Sequence, residues 1–323
     1  MSKLKTPIII TDHLHEHPAI IAWRKLGLSS KEPKEISLLK KHNKSNVFLL
    51  NGIGPHGKSI IAKKAPLSTA MLERFIYENV LSCMSKTTLN YYGHIEAEDQ
   101  TCWIFIEDAN GNPFSFKNIY HTSLAIDWLT ELHTCVPRLD CLTVRGIEYY
   151  FSHLITAHDA IISNLSNQAL CDADIRLLKS IISHLQYIRH RWDIICKLYE
   201  QMPKGFIHGD FTAKNLRVRS DNHRSALFVF DWELAGWGLP GIDMWRLGPE
   251  DYWLRVRNHW NNIALENIVQ LSNLGKLLRC VNAIEWASHS LRSNWLASTI
   301  RNMQSYKVRL DSAIPVIFSL QGT

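Results

Sequence analysis

"FIHGDFTAKN" (206–215), followed a dozen residues later by "LFVFDWE" (227–233), decides how the rest of the chain is read. The first stretch sets Asp210 and Asn215 five positions apart in a loop. The second is an apolar run that ends in Asp231, with Glu233 two positions beyond. Either alone is weak, since isolated Asp-x-x-x-x-Asn spacings are noise and an apolar strand with a terminal Asp is ordinary. In this order and about twenty residues apart they supply what phosphoryl transfer from a magnesium nucleotide requires. Asp210 can orient a hydroxyl and accept its proton, while Asn215 and Asp231 offer oxygens to hard Mg²⁺ ions bridging the phosphates. Glu233 is a further candidate ligand for magnesium or substrate.

His208, Gly209, Asp210, Asn215, Asp231 and Glu233 together resemble the signature of the aminoglycoside phosphotransferase and choline kinase family, H-G-D-x-x-x-x-N and then a strand ending in D-x-E. The resemblance extends to "DWLTELH" (127–133), similar to the family's W-L-x-x-L-H helix, and to "GLPGIDMWRL" (238–247). It implies Asp210 as catalytic base, Asn215 and Asp231 as magnesium ligands, His208 as a structural residue and Asp243 as a brace for the catalytic loop. It also implies a bilobal protein-kinase-like α+β fold, with a small β-rich N-lobe and a larger, mostly helical C-lobe.

Such a fold makes demands of the N-terminal half. A strand lysine should reach the α- and β-phosphates and pair with a helix Glu. "SIIAKKAP" (59–66) offers Lys63 and Lys64 on opposite faces of a strand, so alternation alone does not choose. The family's V-I-x-K pattern favours Lys63, and its E-x-x-x-Y pattern selects Glu73, four residues before Tyr77, over Glu78. "CWIFIEDA" (102–109) is similar to the hinge strand, where backbone groups near Glu107 and Ala109 would meet the adenine and Phe105 would face the nucleotide. A core position for Phe105 is the competing reading.

A second nucleotide motif lies in "NGIGPHGKSI" (51–60). Gly52, Gly57, Lys58 and Ser59 spell the phosphate loop of P-loop NTPases, and Gly52, Gly54 and Gly57 spell G-x-G-x-x-G. A phosphate loop must run directly into a helix. Here Ile60 and Ile61 are β-branched and Pro66 follows, where a helix would lose a hydrogen bond and about 3 kcal/mol. The kinase-loop reading fails because only six steps separate Gly57 from Lys63, too few for another strand and turn. "KHNKSN" (41–46) is the better nucleotide loop, with Ser45 and Asn46 offering N–H groups to phosphates. "NGIGPHG" then becomes the turn between the second and third strands.

Around these motifs, "EISLLKK", "VFLL", "SIIAKK" and "CWIFIED" read as strands, and "TAMLERFIYENVLSCM" (69–84) as a helix. After Glu107 the pattern is mostly helical. The expected organisation is an N-terminal helical extension (1–34), a nucleotide-binding lobe (35–106) and a catalytic and substrate-binding lobe (107–323). "EHPAIIAWRKLG" (16–27) reads as a short helix. The His13, His15 and His17 group before it fits no standard metal framework, and an exposed tail is the plainer reading.

With 46% hydrophobic and 20% charged residues the chain is an ordinary globular one. Its net charge of +6 is spread without a basic run, so nucleic acid is not an expected partner. Seven cysteines without a C-x-x-C pair suggest reduced thiols, and no apolar stretch is long enough to span a membrane. A cytoplasmic, ATP- and Mg²⁺-dependent phosphotransferase is the expectation, with GTP an alternative donor. Its partner would be a small-molecule hydroxyl acceptor.

From residue 240 onward nine bases (Arg246, Arg255, Arg257, Lys276, Arg279, Arg292, Arg301, Lys307, Arg309) face six acids (Asp243, Glu250, Asp251, Glu266, Glu285, Asp311). That balance argues against a polycationic acceptor and for a neutral, acidic or peptidic one. Six tryptophans, Trp237, Trp245, Trp253, Trp260, Trp286 and Trp295, can line a cleft, although packing is the plainer reading. A peptide-directed kinase, a pseudokinase-like binding module and a P-loop NTPase using Gly52–Ser59 are the alternatives.

Overall fold

The computed structural model describes residues 7–29, 31–42, 45–135, 143–221 and 224–319. Its contacts divide the chain into two compact units, one of Met1–Leu124 with Asp210–Leu234, the other of Ala125–Gly209 with Ala235–Thr323.

The first unit is built on a six-stranded antiparallel sheet in the order β1 (Ile8–Ile10), β2 (Ile36–His42), β3 (Ser45–Leu50), β4 (Ile60–Pro66), β6 (Thr101–Glu107) and β5 (Tyr91–Glu96). The 1–34 extension, expected to be helical, thus also supplies an edge strand. Helix α1 (Pro18–Lys25) starts with Pro18 at its first position and His17 as its cap, whose Nδ1 accepts from the Ala19 N–H at 3.2 Å. Its apolar face buries Ile20 and Trp23 against Ile36, Leu50, Ile60, Ala62 and Phe105. Fully burying one such large side chain contributes on the order of 2–3 kcal/mol.

Strand alternation then does the positioning. Ala62 pairs with Phe105 and packs towards α1, so Lys63, paired with Val47 and Ile104, points from the other face. Helix α2 (Leu67–Phe75) follows β4 directly and carries Glu73. The single helix expected over 69–84 is in fact α2, a π turn at Ile76–Val80 and a 3-10 turn at Leu81–Cys83. Strand β7 (Asn112–Pro113) pairs with β9 (Leu216–Asp221), which pairs with β10 (Arg224–Val229). That small sheet holds the two motifs of the opening stretch at its ends.

The P-loop alternative is corrected here. Ile60–Pro66 is a strand in mid-sheet, and 51–59 is the connection between β3 and β4 with a 3-10 turn at Pro55–Gly57. Without a helix after Ser59 there is no row of N–H groups to bind a phosphate. Positions 43 and 44 of the expected nucleotide loop lie outside the described residues. Ser45 and Asn46 belong to strand β3, opposite His42 and Lys41.

The second unit is helical. Helix α3 (Ile119–Thr134) enters it from the first unit, and α4 (Ile147–Asn164), α5 (Asp172–His190), α6 (Trp192–Gln201), α7 (Pro249–Val256), α8 (Leu265–Ser288) and α9 (Leu296–Ser319) follow. Two short strands, β8 (Gly205–Ile207) and β11 (Gly236–Gly238), pair antiparallel. Helix α8 is the central element and packs against α4, α7 and α9. It approaches the 240–242 turn closely, for a Cβ on Gly275 would lie 2.0 Å from the carbonyl carbon of Gly241. No described helix is long and apolar enough to cross a membrane.

Candidate active site

Within the first unit Lys63, 6% exposed, is surrounded by acids from distant parts of the sequence. Its ammonium hydrogen-bonds Glu73 of α2, lies 2.8 Å from Asp231 Oδ1 and 3.4 Å from Glu233 Oε1. Lys64, on the other face, is half-buried and pairs with exposed Asp99 at 2.7 Å. The structure therefore separates the two candidates that alternation left equal.

Burial alone would lower the Lys63 pKa, but the charges of Glu73, Asp231 and Glu233 outweigh it and hold the ammonium protonated. Burial pushes the Glu73 carboxyl above the usual range even against Lys63. Asp231 goes the other way. Despite its desolvation, Lys63 and then Lys40 draw its pKa down to about 2.

Carboxylate oxygens of Glu73, Asp231 and Glu233 all lie within 4.8 Å of one another. One ammonium facing three ionisable carboxyl groups leaves an excess of negative charge. A hard divalent cation with oxygen ligands suits that set. Asp231 has φ of 72°, the left-handed region that few non-glycine residues adopt. It ends the segment after β10, and the preceding Phe230 N–H donates to the Asn215 carbonyl at 3.2 Å. That bond ties the Asp231 segment to the loop of Asp210.

In that loop Asn215 is buried, and its Nδ2 donates to the Asp210 carbonyl at 3.0 Å and to Asp210 Oδ2 at 3.1 Å. Lys214 Nζ meets the same Oδ2 at 2.7 Å. With Nδ2 engaged, Oδ1 is the Asn215 amide atom left for a cation. The expected catalytic and metal residues Asp210, Asn215, Asp231 and Glu233 thus come together with Lys63 and Glu73 in one unit.

The hinge region is built differently from the expectation. Glu107 is a buried side chain that accepts from Asn90 Nδ2 at 2.8 Å and from Arg219 Nη1 at 2.6 Å. Its backbone N–H goes to the Asn90 carbonyl, and Arg219 also occupies the carbonyls of Asp108 and Ala109. An open cavity of about 390 Å³ lies between the 57–59 turn, Glu107–Asn110 and Arg219. Phe105 is wholly buried against Trp23, with ring centroids 5.4 Å apart, on the face opposite Lys63. It is a core residue because α1, not a ligand, covers that face. The Ser45 Oγ and Asn46 Oδ1 atoms are buried without a hydrogen-bond partner among the described residues.

In the second unit the residues just before Asp210 are braced as the family pattern implies. The buried Asp243 carboxylate accepts the N–H groups of His208 at 2.7 Å and Gly209 at 3.0 Å. His133, from the W-L-x-x-L-H helix, meets it at 3.3 Å and hydrogen-bonds Tyr252 at 2.8 Å. Burial works against the Asp243 charge, yet His133 and the loop N–H of His208 hold its pKa below the usual range. Gly209, with φ of 79°, takes the left-handed turn there at no Cβ cost.

Lys40, Lys214 and Arg219 were not anticipated. A Lys four residues after Asp210 was the only legible signal among them.

Known proteins share a family match and a fold with this chain. The model of the phosphotransferase enzyme family matches residues 126–269, which contain both motifs and the His133–Asp243 brace. No curated protein sequence matches the chain. Among solved structures, a choline kinase from Cryptosporidium parvum Iowa II superposes with a TM-score of 0.62 at 12% identity, covering 88% of this chain and 91% of its own. An ADP-bound aminoglycoside phosphotransferase, APH(2'')-Ib, gives 0.55 at 15% identity and covers 94% of this chain and 99% of its own. A GDP and kanamycin complex of another aminoglycoside phosphotransferase gives 0.56 at 14% identity, with coverages of 86% and 95%. Residues 126–269 are thus similar to the phosphotransferase enzyme family, and the chain has the α+β, protein-kinase-like fold seen in the aminoglycoside phosphotransferases and choline kinases.

Proposed function

We propose that this protein transfers the γ-phosphate of ATP or GTP to a hydroxyl of a small molecule. The observation that carries the reading is Lys63 bound to Glu73 and Asp231 in the unit that also holds the Asp210–Asn215 pair. In this reading Lys63 addresses the donor phosphates, and Glu73 fixes its ammonium. Asp210, its carboxylate oriented by Asn215 and Lys214, orients the acceptor hydroxyl and takes its proton as the phosphate is transferred. Asp231, Glu233 and Asn215 Oδ1 would hold magnesium, which when bound neutralises phosphate charge.

The hinge contacts divide by atom. The Glu107 N–H and the Ala109 carbonyl already have protein partners, so the Ala109 N–H is the group that would meet a purine. Ser45 Oγ and Asn46 Oδ1 act from strand β3 instead of from a loop tip, and their buried polar atoms suit a phosphate-bound water or hydroxyl. Structural relatives with bound ADP or GDP support the use of a nucleotide. The cytoplasm is the compartment where such a donor is available and where the described free cysteines would stay reduced.

The test is a transfer screen with radiolabelled ATP and GTP against hydroxyl compounds that are cationic, neutral or anionic. Label appearing in an acceptor only with magnesium present supports the reading. Absence of transfer to every class, with intact nucleotide binding, opposes it.

A further inference from the structure

We infer that the acceptor carries an anionic group, a carboxylate or phosphate, and that Arg246, Arg279 and Arg309 with Trp245 form its docking site. The inference rests on the phosphotransferase reading and gives that reaction a substrate class. Three guanidinium groups from separate parts of the second unit converge on one indole ring. Their central carbons lie 4.2 Å (Arg246), 5.1 Å (Arg279) and 4.8 Å (Arg309) from the Trp245 ring centroid. Arg246 follows Trp245 in the loop before α7, Arg279 is on α8 and Arg309 on α9, where it also lies 5.7 Å from the Tyr306 ring.

Stacking on an aromatic face holds a guanidinium flat and cuts its rotamer freedom. One arginine would suffice to cover Trp245. Gathering three places like charges within mutual reach, an arrangement an oxyanion relieves and an ammonium worsens. Burial first, and then the charges of Arg309 and Arg279, lower the Arg246 pKa, in keeping with that crowding.

Arg246 is exposed and Arg279 and Arg309 half-buried, so the cluster is open to solvent. Arg279 also donates to the Gly209 carbonyl at 3.0 Å, the residue joined covalently to Asp210. The cluster is therefore anchored on the backbone that leads into the catalytic loop. Bidentate pairing to carboxylate or phosphate is what planar guanidinium groups do best. A polycationic aminoglycoside or choline would meet repulsion here.

Calorimetric titration of the full chain without nucleotide tests this with three hydroxyl probes, D-glycerate, glycerol 3-phosphate and choline. The expected result is binding of at least one anionic probe, no binding of choline, and a loss of about tenfold to a hundredfold in anion affinity for Arg246→Gln and for Arg309→Gln. Unfolding midpoints of both variants, measured alongside, should stay at the wild-type value, which a purely packing role would lower. Preference for choline, failure of both anions to bind, or unchanged anion affinity in both variants overturns the inference. Because binding is read without turnover, the two readings fail separately. Phosphate transfer to choline contradicts the anionic acceptor alone, while anion binding by a chain that transfers no phosphate contradicts phosphotransfer alone.

Discussion

Lys63 Nζ lies 2.8 Å from Asp231 Oδ1, across a sequence separation of 168 residues. That contact binds the strand of the expected nucleotide lysine to the strand end expected to carry magnesium. Removing Lys63 leaves three carboxyl groups around a buried site without the ammonium they share. Breaking such a pair costs about 3–5 kcal/mol in stability. Lys63→Ala should therefore lower the denaturation midpoint as well as abolish transfer, whereas Lys64→Ala should change stability by no more than about 0.5 kcal/mol. Denaturant unfolding of both variants checks the contrast, and equal midpoints would contradict it.

Lys58 supplies the matching control. It is exposed in the turn before β4, with no helix after it. Lys58→Ala should leave turnover within about twofold of wild type, a change of under about 0.5 kcal/mol. A loss as deep as that of Lys63→Ala, measured as kcat/KM for the nucleotide, would restore the P-loop reading.

Acid stability follows from Asp231. Its pKa is depressed in the folded state to about 2, so its contribution is complete above the unfolded value of about 3.9 and disappears as pH falls towards 2. The displacement corresponds to about 2.6 kcal/mol. Glu73 has the opposite sign, because its raised pKa is a penalty above the unfolded value that acid relieves. Buried Asp243, also depressed, adds to the acid loss. Denaturation free energies of wild type and Asp231→Asn between about pH 5 and 2 should converge as the pH falls. Asn suits the left-handed backbone at this position, so the comparison isolates the charge. A constant gap across the range would contradict the assignment.

Gly275 on α8 tests the packing of the second unit. A methyl group there would overlap the backbone of Gly241, which cannot rotate aside as a side chain can. Gly275→Ala should destabilise by about 1–3 kcal/mol, despite the better helix propensity of Ala. An unchanged thermal midpoint would show that α8 does not approach the 240–242 turn as described.

Much of the site was legible because its chemistry is local. Asp210 and Asn215 share one loop, and Asp231 and Glu233 follow one strand, so spacing alone brought them forward. Lys63 was selected by family pattern, since two adjacent lysines on a strand are equivalent until one knows which face is covered. That same missing knowledge misplaced Phe105. Nothing in "CWIFIED" says that α1, eighty residues earlier, packs on its face. Ser45 and Asn46 look like loop residues in sequence because polar residues resemble turns, yet they pair with His42 and Lys41 and continue the ladder. Lys40 and Arg219 were invisible for a related reason, their partners being set by sheet register and not by sequence neighbours.

The most direct test of the whole account is single-turnover phosphate transfer by Asp210→Asn, with nucleotide affinity measured on the same sample. A lost general base should slow transfer by about a hundredfold to ten-thousandfold while the affinity for magnesium nucleotide stays near wild type. Full-rate transfer by this variant would contradict the account.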